Sequence, residues 1–167
     1  MSDTVSYILT SSANQTIGAI RTILGKAAED AKARELDETV LLSARLYPDM
    51  LPVTRQVQIA CDTVARGAAR LAGLEIPSFP DTETTITQLI ERCTMALDYV
   101  NAVDSAKIDA NTRVTLEIPI GPATMPMEGR QYLSSFILPN LHFHAAIFYG
   151  LLRMQGLKIG KRDYLMP

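Results

Sequence analysis

The sequence predicts an all-α four-helix bundle with a small β-hairpin before the last helix, and three observations carry that expectation. Apolar residues recur at three-and-four spacing over four long stretches. Connectors punctuated by proline and glycine separate them. Only one stretch, 113–120, changes to a two-residue period. The chain has 167 residues, the usual size of one domain with its own core, so 1–167 is read as a single helical-bundle domain.

The first helix runs from Val5 to about Ala31, with Ile8, Leu9, Ile17, Ile20, Leu24 and Ala27 on one stripe. Asp37 can cap a short piece, "ETVLLSAR", and the prolines of "YPDMLP" then break the chain. The second long helix spans Pro52 to Leu71, buries Val53, Val57, Ala60, Cys61, Val64 and Ala68, and ends at Gly73. After the loop "GLEIPSFPDT", Asp81 or Thr82 is expected to cap the third, striped by Ile86, Leu89, Ile90, Cys93, Leu97 and Val100. In "RVTLEIPI" Val114, Leu116, Ile118 and Ile120 alternate with polar residues, and "ATMPMEG" returns after the Gly121–Pro122 turn. Pro119 and Pro126 make this hairpin small and edge-like. The fourth helix begins near Arg130, is kinked by Pro139 and stops at Gly156.

With 47% hydrophobic residues, 20% charged residues and a net charge of −2, the composition is that of a soluble globular protein. The longest basic run, "KIGKR" at 158–162, is too short for a phosphate-backbone footprint, so no nucleic acid is expected as partner. The N-terminal stretch lacks the pattern of a secretory signal and no apolar run reaches spanning length, so the expectation is a cytoplasmic protein without a membrane partner. Cys61 and Cys93 form no CxxC pair and read as small core residues.

Both histidines lie in "PNLHFHAAIFYG". At about 100° per residue they face apart: His144 shares an arc with Leu133, Ile137, Asn140, Ile147 and Leu151, whereas His142 points to the opposite, polar side. A pair two residues apart on an intact helix cannot chelate one ion. His144 and Asn140, set in an apolar stripe, need polar partners. Gln58 and Asp62, four apart on the second long helix, are the candidates. Imidazole, carboxylate and two amides could form a hydrogen-bonded core network or an oxygen-rich metal site holding His144, Asp62 and Gln58 as ligands. No HExxH motif is present, and two histidines cannot supply a three-histidine centre.

The stretches "ARLYPDMLPVTRQVQIACD", "IPSFPDTETTITQLIERC" and "YLSSFILPNLHFHAAIFYGLLRMQGLKIGKRDYL" resemble a bacterial family catalogued as a domain of unknown function, number nineteen-ninety-three in its series. That family is placed in the DinB/YfiT-like superfamily. The resemblance covers nearly the whole chain and implies an up-down-down-up bundle, often a homodimer. Many superfamily members are similar to metalloenzymes in which three histidines hold a divalent ion such as zinc or nickel, one on the second long helix and an HxxxH pair on the last. Some act as thiol-dependent transferases or isomerases on small molecules. Here His144 matches the second histidine of the pair, the first position is Asn140, and the remaining one falls at Gln58 or a close neighbour. Amides are poor ligands for zinc or nickel, so the resemblance implies a degraded or rebuilt site. Two readings follow. In one, an uncharacterised non-catalytic bundle keeps the polar residues for register. In the other, a divergent metal-dependent enzyme acts on a small molecule around His144.

Overall fold

In a computed structural model, which describes residues 4–166, four long helices carry the core. They are α1 (Thr4–Ala33), α3 (Val53–Ala72), α4 (Ile86–Ala102) and α7 (Leu138–Met154). The shorter elements are α2 (Glu38–Leu42), α5 (Ser105–Ala110), α6 (Gly129–Tyr132) and α8 (Lys161–Leu165), together with strands β1 (Thr115–Ile120) and β2 (Ala123–Glu128). Each helix obeys its apolar stripe: Leu9, Ile17, Ile20 and Leu24 of α1, Val57, Ala60 and Val64 of α3, Leu89 and Cys93 of α4, and Leu141, Phe148 and Leu151 of α7 are all buried.

Side-chain contacts fix the helix directions. Asn14 near the start of α1 bonds Asn101 near the end of α4, so these two are antiparallel. Gln56 on the first turn of α3 meets His144 of α7, whereas Arg70 on its last turn meets Tyr132 at the other end, so α3 and α7 are antiparallel too. Cys61 faces Cys93, and Glu75 just past α3 bonds Tyr99 late in α4, so α3 and α4 run parallel. Arg34 after α1 reaches the Gln155 carbonyl after α7, making those two parallel. Up, down, down, up is the result. The parallel pair requires the connector between Gly73 and Thr85 to travel back along the bundle, and that loop lies beside the site described below.

Local signals explain most boundaries. Gly73 ends α3 at φ 65°, a left-handed conformation that glycine adopts without steric cost. Asp37 caps α2 by accepting from Thr39 N. The cap of α4 differs from expectation: Thr85, not Asp81 or Thr82, forms a capping box with Gln88, and Asp81 is drawn away by arginines. Pro139 is accommodated by a π-helical turn, Leu133–Ile137, immediately before it, so α6, this turn and α7 form one continuous helix. In the hairpin, Pro119 pairs with Thr124 and Pro126 with Glu117; Ile118 and Met127 turn inward while Ile120 and Met125 stay exposed. Neither α5 nor α8 has a periodic stretch long enough to have been anticipated.

The continuous run Gly129–Met154 is the one helix among the described residues long and apolar enough to cross a membrane by length and composition. It packs against α1 and α3 as a bundle helix. Cys61 and Cys93 are fully buried free thiols with sulfurs 3.8 Å apart. The Cys93 contact and burial push the Cys61 thiol pKa well up, as expected of inert core residues.

Gly129 marks a tight spot where the hairpin enters α6. A Cβ there would run into the Asn111 backbone carbonyl and lie 3.1 Å from Leu71. Gly129→Ala is expected to lower stability by about 1–3 kcal/mol in urea unfolding; an unchanged midpoint would contradict this packing.

Candidate functional site

α3 presents two polar faces to different neighbours. Gln56 lies within its buried stripe, three residues after Val53 and four before Ala60, and faces α7. Gln58 and Asp62 lie about 200° and 240° further round at 100° per residue, and face α4 and the returning loop instead.

On the α7 side, His144 is 8% exposed and His142 is exposed, as the helical wheel requires. His144 Nδ1 is 2.7 Å from Gln56 Oε1. Gln56 Nε2 donates to the Leu51 carbonyl at 2.9 Å, and because a carbonyl only accepts, this fixes which way the amide points. The Gln56 oxygen left facing the imidazole is also an acceptor, so Nδ1 must carry the proton and Nε2 the lone pair. Nε2 has no protein partner among the described residues and is not one of the fully buried atoms. Burial lowers the His144 pKa below its ordinary value of 6.5, so the ring is neutral at pH 7. Asn140, one turn earlier, donates to the Phe136 carbonyl at 3.2 Å, and its side-chain oxygen stays open.

On the α4 side an ionic network occupies the polar groups. Arg92 is fully buried, three residues after Leu89 and four before Ala96 on the inward stripe of α4. Its guanidinium donates to Asp62 at 2.6 Å, Glu83 at 2.8 Å, the Pro80 carbonyl at 3.1 Å and Asp81 at 3.3 Å, and lies 5.1 Å from the centroid of the Phe79 ring. Asp62 also takes Arg66 at 2.9 Å. Gln58 donates to Glu83 at 2.7 Å and accepts from Arg55 at 2.7 Å, and Arg55 pairs with Asp81.

Of the three side chains expected together as metal ligands, His144 therefore stands on the α3–α7 seam, whereas Gln58 and Asp62 stand on the α3–α4 seam. No hydrogen bond or ion pair joins His144 to either. The candidate partners of His144, Gln58 and Asp62, are corrected to Gln56, because the half-turn between them on α3 decides which helix each one meets. At the position implied for a three-histidine centre the donors are one imidazole and two amides, Gln56 and Asn140, a poor set for zinc or nickel. Among the described residues no three His, Cys, Asp or Glu side chains gather to hold an ion. Gln56 and Arg92 went unmarked in the sequence, although each falls at a core position of its stripe.

Between these seams, along the outer face of α3, a cavity of about 400 Å³ opens. Arg55, Arg66, Arg70 and Asp62 line it from α3, Tyr132 and Asn140 from the facing helix. It reaches Asn140, while His144 is not part of its wall.

The arrangement defines a DinB-like bundle in which an amide and an imidazole meet on the α3–α7 seam. A DinB family member protein from Shewanella denitrificans has a similar structure: TM-score 0.89 and 32% identity over 100% of this chain and 97% of that one. A comparison with curated proteins gave no match. The chain belongs to the family described as Domain of unknown function (DUF1993), whose model matches residues 7–165.

The lowered His144 pKa has a consequence for stability. The neutral ring contributes stability that is fully present above pH 6.5 and is lost as pH falls through the lower folded-state value, because charging then occurs in a desolvated place. Nitrogen-15 NMR is expected to show the Nδ1–H tautomer of His144 at pH 7 and a titration midpoint below 6.5. Gln56→Met should cost about 1–3 kcal/mol and mix the tautomers. A dominant Nε2–H tautomer in the wild type would contradict the geometry.

Proposed function

We propose that this chain is a small-molecule-binding bundle protein in which the superfamily's metal position has become a hydrogen-bonded Gln56–His144 pair, so that no reaction is routed through a three-histidine ion. The observation that carries this reading is the 2.7 Å bond from His144 Nδ1 to Gln56 Oε1, with the amide locked in turn by Leu51. Its physical content is that Gln56 spends its only strong donor-atom oxygen on the histidine, while Asp62, the nearest carboxylate on α3 by sequence, neutralises Arg92. The cavity along α3, about 400 Å³ with polar and aromatic walls, suits a small organic ligand.

One observation favours a second reading. His144 Nε2 is a bare base with its tautomer fixed from behind, the arrangement that a general base or a single metal ligand needs. A divalent-metal-dependent transferase or isomerase using His144 with Asp62 and Gln58 would require both to leave their arginines, stranding the buried Arg92 charge. The first reading is preferred for that reason. It includes a homodimer, for which exposed Phe143 and Met154 on the outer face of α7 offer an apolar face, and a place in the bacterial cytoplasm, which the family resemblance implies.

Untagged protein, analysed for metal content after purification, is expected to carry zinc and nickel at background only, and His144→Ala is expected to leave that content unchanged. An ion retained near one equivalent and lost in a folded His144→Ala variant would overturn the proposal and favour the enzyme. The dimer is tested separately by sedimentation equilibrium, where a monomer at micromolar concentration would remove it.

A further inference from the structure

We propose that the cavity on the outer face of α3 binds the oxyanion head group, carboxylate or phosphate, of a small organic molecule, with Arg66 and Arg70 as its anchors; this rests on the small-molecule reading above and names the ligand class. The argument begins with charge. The cavity wall carries three guanidinium groups, Arg55, Arg66 and Arg70, against two carboxylates, Asp62 and Asp81, and both of those acids are also engaged by the buried Arg92, so positive charge is in excess at the wall.

The surplus is localised. Arg92 takes both acids, and Arg55 shares Asp81. Arg66 has only the remaining oxygen of Asp62, and its Nε is buried with no partner among the described residues. Arg70 contacts no carboxylate among the described residues; it makes a long bond, 3.3 Å, to the Tyr132 hydroxyl. Arg66 and Arg70 are four residues apart on one helix face, a like-charge spacing that weakens an isolated helix. Both line the cavity. An anion between them would relieve that repulsion and give the forked donors the planar or tetrahedral oxygens they match.

The remaining walls suit an organic body on the anion. Phe136 and Tyr132 stack at 5.6 Å between ring centroids and give an aromatic side, and Asn140 keeps an amide oxygen open at the far end to accept from a hydroxyl or amine. Arg70 and Tyr132 sit together at one end of the seam and Asn140 two turns up, so a ligand would be gripped by its charged end near the hairpin and extend toward Asn140.

The test is calorimetric titration of the full chain, at fixed ionic strength, with inorganic phosphate, with succinate and with neutral succinamide. One-site saturable binding of phosphate or succinate is expected, with succinamide much weaker, and whichever anion binds tighter identifies the head group. Arg70→Gln should weaken that binding about tenfold or more, as should Arg66→Gln, with helical circular dichroism unchanged. Arg70→Gln is the decisive variant, since it breaks no ion pair that the fold uses. Binding of neither anion, succinamide binding as tightly as succinate, or an Arg70→Gln affinity within twofold of wild type would overturn the inference. Metal content reports on the underlying reading independently, so the two can fail separately.

Discussion

A guanidinium without any solvent exposure is the constraint around which the rest of this bundle is arranged. Arg92 lies on the core stripe of α4, where an uncompensated charge would be prohibitively costly, and it is matched by carboxylates from two directions. Asp62 comes from α3. Asp81 and Glu83 come from the loop that carries the chain back from the end of α3 to the start of α4. The ion cluster thus holds together the parallel pair that gives the fold its down-down step, and it fixes a long connector that has no secondary structure of its own.

The same cluster decides what chemistry is left for the site. Asp62, and through Glu83 and Arg55 also Gln58, are held by it on the α3–α4 seam, a half-turn of α3 away from His144, and are not free to turn toward the imidazole. His144 is then left with Gln56, whose amide fixes its tautomer and whose locked orientation makes it a structural partner. The imidazole is neutral and half committed: one nitrogen tied inward, the other unpaired. Meanwhile the acids consumed by Arg92 leave Arg66 and Arg70 short of counter-charge at the rim of the cavity.

Much of this was legible in the residues. The four stripes, the Gly73 stop, the Asp37 cap, the alternation in β1 and the opposed directions of His142 and His144 all follow from local periodicity, and the structure reproduces them. The pairing across helices was not legible in the same way. That Gln56, and not Gln58 or Asp62, meets His144 turns on a half-turn of α3, and nothing in a single helix says which of its faces meets α7 and which meets α4. Arg92 escaped notice because an arginine at a stripe position reads as a surface residue until the acids of a distant loop are brought against it. The π-helical turn before Pro139 is likewise a tertiary solution, since the sequence announces a broken bond to residue 135 and leaves open whether a bend or a widened turn absorbs it.

The allocation is tested most directly by a double-mutant cycle on Arg92→Met and Asp62→Leu, followed by urea unfolding. Each single variant strands a partner in a buried place and should lose about 3 kcal/mol or more, while the double variant should recover a large part of it, giving a coupling energy above about 1.5 kcal/mol. Additive effects within about 0.5 kcal/mol would mean that Asp62 is not committed to Arg92, and the account of why His144 stands without a carboxylate would fall with it.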